Sequence, residues 1–184
     1  GEVVKLAGST CSPDLADARL KSLPLASINP FRLIGIFPAV GKVVEWRWNL
    51  KRLIQKEHRW TTRQWISSGF DERRAKRVRG KTFRQALQHP SAHSLAWLRT
   101  LHCSHTPQAG PFSTCMHRSD AATVSYTEIT VSSRTATMRY HAGAPCTCST
   151  NSANAFASDK VKGCGNAPKS GQITESSFYS KMKY

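Results

Sequence analysis

Apolar residues change their spacing several times along this chain, and each spacing names an element. Near the N-terminus, Ser12-Pro13-Asp14 offers a hydroxyl cap with proline at the first helical position, and Leu15, Ala18 and Leu20 follow on one side. A short helix is predicted, ending near Pro24. After the break at Asn29-Pro30, the run from Phe31 to Phe37 packs β-branched and aromatic residues into a few positions and reads as a buried strand. Beyond a turn at Pro38 to Gly41, Val44, Trp46 and Trp48 alternate with Val43, Glu45 and Arg47. That period of two puts the three large apolar side chains on one face of a second strand. Asn49-Leu50-Lys51 turns the chain into a third strand over Arg52 to Lys56, completing a three-strand meander.

The period then lengthens. Ala75, Val78, Thr82, Phe83, Ala86 and Leu87 fall on one stripe of an amphipathic helix from about Asp71 to Gln88, with Ser68 and Asp71 spaced like a capping box and His89-Pro90 as the stop. Ser91 is expected to cap a second helix that carries Leu95, Leu98 and Leu101, so the two form a helical hairpin. Strand character returns over Phe112 to His117, Thr123 to Val131 and Thr135 to Tyr140. From Ala142 onward the chain is rich in Ser, Thr, Asn, Gly and Lys without periodicity, which predicts a largely disordered or loosely packed tail. The expected organisation is one α+β domain over residues 1–146 with a single core, and a polar tail over 147–184. Helix, three strands, two helices and three strands do not alternate as a doubly wound sheet requires.

Charge changes the picture more than composition does. Among 184 residues, 27 are Lys or Arg and 11 are Asp or Glu, a formal charge of +16 that favours an anionic partner. The longest apolar run, Leu33 to Val40, is broken by Gly35 and Pro38 and is far shorter than the ~20 residues that cross a bilayer, so no membrane span is expected. The six cysteines lack the regular spacing of a disulfide scaffold and read as mostly reduced, which with the absence of a glycosylation sequon points to an intracellular site, cytoplasmic or organellar.

Three pieces in order carry a family likeness: Pro30-Phe31-Arg32-Leu33 with Glu45-Trp46-Arg47-Trp48; Trp65 to Asp71; and Phe112-Ser113-Thr114-Cys115-Met116-His117-Arg118-Ser119-Asp120-Ala121-Ala122-Thr123-Val124-Ser125-Tyr126-Thr127. Over roughly residues 20–146 the chain resembles the NRDE family, also called the transport and Golgi organisation protein 2 family. The resemblance implies an N-terminal-nucleophile-like fold, a layered αββα sandwich, and a link to haem and lipid handling. It also implies a Cys at the mature N-terminus and an Asn-Arg-Asp-Glu motif soon after, and neither stands in the first thirty residues here. In such hydrolases the first residue supplies nucleophile and base. Gly1 supplies no nucleophile, so the chain looks like the C-terminal two-thirds of such a protein. No catalytic residue is assigned to it alone, and a partner chain would have to bring the missing segment.

The leading expectation is a cleft near Ser67, Ser68, His117, Arg118 and Ser125 that binds a small anionic or acyl-type ligand. Ser67-Ser68-Gly69 precedes a helix N-terminus, where free N–H groups suit an anion. The alternative is an interaction protein for RNA, an acidic protein or another anionic assembly. It would use the predicted basic helix with Arg73, Arg74, Lys76, Arg77, Arg79, Lys81 and Arg84. His102, Cys103, His105, Cys115 and His117 offer sulfur and imidazole donors, as do Cys146, Cys148 and Cys164, but the spacings match no zinc finger or ribbon. They are expected to be ordinary loop and strand residues, with Cys115 and His117 on one strand face, and no metal or cofactor is assigned.

Overall fold

The computed structural model describes residues 1–131 and 136–147, and the backbone of 154–158 and 175–183. It is an α+β structure with antiparallel sheets, divided into two compact units whose first holds residues 1–61 and whose second begins at Thr62. Each unit has its own sheet. No helix among the described residues is long and apolar enough to cross a membrane.

In the first unit, α1 (Glu2–Gly8) was not anticipated, because its seven residues show less than two turns of pattern. Helix α2 (Pro13–Lys21) starts where proline and serine put it: the Ser12 hydroxyl accepts from the Leu15 N–H at 3.2 Å. Strands β1 (Phe31–Phe37), β2 (Lys42–Trp48) and β3 (Leu53–His58) form the meander in the order β1-β2-β3. The turn into β3 is held by Asn49 Oδ1, which accepts from the N–H groups of Lys51 and Arg52 at 3.1 and 2.9 Å. The core gathers Ala16, Leu20, Val44 and Trp46, with Val3, Ala7, Leu23, Leu33, Phe37 and Leu53 against it.

Leu50 sits in that turn with φ 69°, exposed, in the left-handed region that costs a Cβ-bearing residue about 1–2 kcal/mol. Leu50→Gly removes that strain at some entropic cost. A net gain of about 0.5–1 kcal/mol in urea unfolding is expected; an unchanged or lower stability would show that the turn does not hold Leu50 in this conformation.

In the second unit, α3 (Glu72–Ala86) and α4 (Leu95–Cys103) are the predicted hairpin, with shifted caps. Asp71, not Ser68, caps α3 by accepting from the Arg74 N–H at 2.9 Å, and Ser94, not Ser91, caps α4. The helices meet where Trp97 Nε1 donates to the Ala86 carbonyl at 2.8 Å and its ring lies 6.1 Å from that of Phe83. Strands β4 (Ala122–Val131), β5 (Ala136–Ala142), β6 (Asn154–Ser158) and β7 (Glu175–Lys183) form a sheet in the order β6-β5-β4-β7. Two of these strands lie in the segment expected to be a tail. β6 is short and β7 is rich in Ser and Lys, so neither shows the apolar alternation by which strands are recognised, and they reach the sheet through backbone pairing with β5 and β4. Cys148 and Cys164 lie outside the described residues.

Phe112 to His117 does not form the predicted strand; only His117 bridges, to Ala122. Its backbone groups are engaged elsewhere. Cys115 N–H donates to the Ser104 carbonyl at 3.1 Å, His117 N–H to the Gly110 carbonyl at 3.3 Å, and Met116 N–H to Thr123 Oγ1 at 2.9 Å. The segment is pinned against the loop after α4 and the start of β4, so alternating side chains here do not mean a sheet ladder.

Candidate functional site

The helical period of α3 sorts its charges. Ala75 and Thr82 are buried, while Arg73, Arg74, Lys76, Arg77, Lys81 and Arg84 are exposed. At 100° per residue, Arg73, Arg77, Lys81 and Arg84 fall within one stripe about 16 Å long at 1.5 Å per residue. Lys76 pairs with Glu72 one turn earlier. Arg73, Arg77, Lys81 and Arg84 have no acidic partner among the described residues.

Arg79 departs from the expected solvated face. It is buried, and its guanidinium donates to the carbonyls of Ser113 (3.0 Å), Pro111 (3.1 Å) and Ser67 (3.4 Å). A buried charge that must donate in several directions is accommodated by backbone carbonyls. Arg79 thereby ties the segment before Cys115 to α3.

The residues expected to line a ligand cleft are only partly brought together. Ser68 Oγ accepts from the Phe70 N–H at 3.3 Å, and the exposed Phe70 ring lies under the Arg118 guanidinium at 4.6 Å and 6.0 Å from the Phe112 ring. Arg74 stacks over Phe112 at 4.6 Å. Arg118 is itself forked onto Asp120, with Nε donating to Oδ1 at 2.8 Å, and this hydrogen-bonded guanidinium holds the Asp120 carboxyl below its usual range. Ser125, expected to line the cleft, is buried in β4, as are Thr123 and Thr127, so its hydroxyl is not exposed to solvent.

His117 points elsewhere, into a thiol–imidazole cluster. Its Nε2 lies 3.4 Å from Cys115 Sγ and 3.3 Å from Cys146 Sγ, and its ring is 5.0 Å from that of His105, edge to face. One ligating atom from each of His105, Cys115, His117 and Cys146 lies within 4.8 Å of the others. The loop after α4 brings His105, the pinned segment brings Cys115 and His117, and a 3₁₀ turn at Pro145–Thr147 brings Cys146. Cys103, at the end of α4, donates from Sγ to the Pro145 carbonyl at 3.2 Å and fastens that turn to the helix. Cys103, Cys115 and Cys146 are not in a disulfide, whereas Cys11 is disulfide-bonded, so the expectation of mostly reduced cysteines does not extend to Cys11. Burial pushes the Cys115 thiol up to about 12, and burial pulls the His102 imidazole down to about 4. His105 Nε2 is buried without a hydrogen-bond partner.

Sequence reading grouped His105 with Cys115 and His117 as possible donors and set Cys146 apart with Cys148 and Cys164; nothing in it pointed to Cys146 as the neighbour of the other three. Comparison of the chain with known protein families, curated proteins and solved structures finds no match.

Proposed function

We propose that this chain binds the phosphate backbone of a nucleic acid through the basic stripe of α3. The observation that carries this reading is the row Arg73, Arg77, Lys81 and Arg84, exposed and without acidic partners among the described residues, in a chain of charge +16. Cations in a row recruit phosphates and release their counterions, whereas a stripe serving only solubility gains nothing from excluding carboxylates. An intracellular location, cytoplasmic or organellar, goes with this reading on the side of Cys103, Cys115 and Cys146, while the disulfide at Cys11 argues for an oxidising one.

The NRDE kinship and its layered αββα sandwich remain part of the proposal, supported by the three ordered motifs and by two antiparallel sheets with associated helices. Within that frame a second reading, a small anionic or acyl-type ligand beside Ser67 and Ser68, draws support from the exposed Phe70 ring between Arg118 and Phe112. Its weakness is that Arg118 is already forked onto Asp120 and His117 onto two thiols.

Fluorescence anisotropy with a single-stranded RNA oligomer separates the two. Affinity should fall linearly with salt on logarithmic axes, with a slope of about −0.7 per phosphate contacted. Arg73→Gln, Arg77→Gln, Lys81→Gln and Arg84→Gln together should flatten that slope by about 3, while the same change at Lys51 and Lys56 should leave it in place. No RNA binding at low salt, or a slope unmoved by the quadruple variant, would overturn the reading.

A further inference from the structure

We propose that His105, Cys115, His117 and Cys146 form a tetrahedral S₂N₂ site for a zinc ion. The four come from three separate segments, and their donor atoms already lie within 4.8 Å of one another. A tetrahedron with Zn–S near 2.3 Å and Zn–N near 2.0–2.1 Å has S···N edges of about 3.5 Å. The distances from His117 Nε2 to the two sulfurs, 3.4 and 3.3 Å, are close to that edge.

Hydrogen bonding alone accounts poorly for the arrangement. Thiols are weak donors and acceptors, and placing two of them on one imidazole nitrogen satisfies little. A second imidazole beside them presents a buried nitrogen with no partner, a group that costs about 1–3 kcal/mol to leave unsatisfied. A borderline-soft divalent cation would use all four groups at once. Two thiolates and two neutral imidazoles make a neutral complex with a +2 ion, which suits a partly buried place. The proton balance is simple: Cys115 and Cys146 each lose a thiol proton to solvent as the ion binds, and no redox change occurs.

The surrounding structure fits a closed, structural site. The Ser104 carbonyl holds the Cys115 N–H, Arg79 anchors Ser113 and Pro111, and Cys103 fastens the turn that carries Cys146. Each ligand-bearing segment therefore has its own support outside the four ligands. The competing use of two adjacent thiols is a Cys115–Cys146 disulfide, which would leave the imidazoles without a role.

The test is Co(II) titration of the full chain, reduced with a non-thiol reductant and freed of metal. The expected result is one equivalent bound with the intense visible bands of a tetrahedral ion and a thiolate-to-cobalt charge-transfer band, all bleached by one equivalent of Zn(II). Cys115→Ser and Cys146→Ser should each remove about half of the charge-transfer intensity, and His105→Gln and His117→Gln should weaken affinity by at least about tenfold. His89→Gln, at an exposed histidine that is not one of the four ligands, should leave both unchanged. The wild-type spectrum alone can overturn the proposal without any variant having to fold: a pale six-coordinate spectrum, no charge-transfer band, or no uptake. A band that survives loss of Cys115 and Cys146 but not of Cys103 overturns it too. Neither result bears on RNA binding by α3, so the two proposals fail separately.

Discussion

Arg99→Met should destabilise the chain by about 3–5 kcal/mol in urea unfolding at neutral pH, because it strands a carboxylate that the sheet buries. Glu128 lies on β4 with its side chain 2% exposed, and Arg99 on α4 grips it with both arms, Nε to Oε2 at 2.8 Å and Nη2 to Oε1 at 2.9 Å. Tyr126 adds a weaker hydroxyl donor at 3.3 Å, and Arg139 is the cross-strand neighbour on β5. Burial by itself would disfavour the Glu128 anion. The Arg99 hydrogen bonds and charge more than offset it, and the carboxyl sits below its ordinary value of 4.5. The pH dependence has a definite sign. A carboxyl whose folded value is depressed stabilises the fold above its unfolded value, and that contribution is lost as pH falls through the folded value. Without Arg99 the same carboxyl should prefer its proton. The gap between wild type and Arg99→Met should therefore be widest near neutrality and narrow below about pH 4. Replacing both partners by apolar residues, Arg99→Met with Glu128→Leu, should recover much of the loss, since the charge and its desolvation go together. A single-variant loss under about 1 kcal/mol, or a gap that widens in acid, would mean that the pair is solvated.

That buried pair also marks the limit of what the sequence could show. Where one segment presents a full apolar period, as in Val44, Trp46 and Trp48 or in the Ala75 to Leu87 stripe, the element and its inner face were legible, because burial repeats along the segment itself. Arg79 and Glu128 were not, since a charged residue at a core position looks like any other charge until its partners from distant segments are known. The thiol–imidazole cluster is harder still. Its members stand ten, two and twenty-nine residues apart, and no element period or ligand motif has those intervals. Cys115 and His117 were placed on one side by alternation, correctly, although the segment is not a strand. Strands β6 and β7 were hidden for a different reason: their pairing is through the backbone, which every residue but proline supplies, so a polar sequence can form them without announcing it.

Trp46→Ala in the first unit should cost about 3–5 kcal/mol, enough to leave a unit of this size close to unfolding. The indole is fully buried on β2 and makes two kinds of contact. Its Nε1 donates to Asp17 Oδ1 on α2 at 3.0 Å, and the Phe37 ring meets it edge to face with centroids 6.2 Å apart. Truncation would open a cavity between sheet and helix and remove one of the partners of Asp17, whose other oxygen is held by Lys21 at 2.6 Å. Trp46→Phe keeps most of the volume and should cost less than half as much, which separates packing from the lost hydrogen bond. Gly35 tests the same contact from the opposite side. A Cβ at Gly35 would stand 2.7 Å from Phe37 Cε2 and 2.8 Å from Trp46 Cζ3, distances at which the rings must move. Gly35→Ala should therefore cost about 1–3 kcal/mol by overpacking. In the Trp46→Phe background, where Cζ3 of the indole is gone, part of that cost should disappear. Urea unfolding of the four variants closes a double-mutant cycle whose coupling between neighbours in contact should reach about 0.5–3 kcal/mol. Strictly additive losses would show that Gly35 and Trp46 do not meet across β1 and β2, and that the core is packed differently from the arrangement described above.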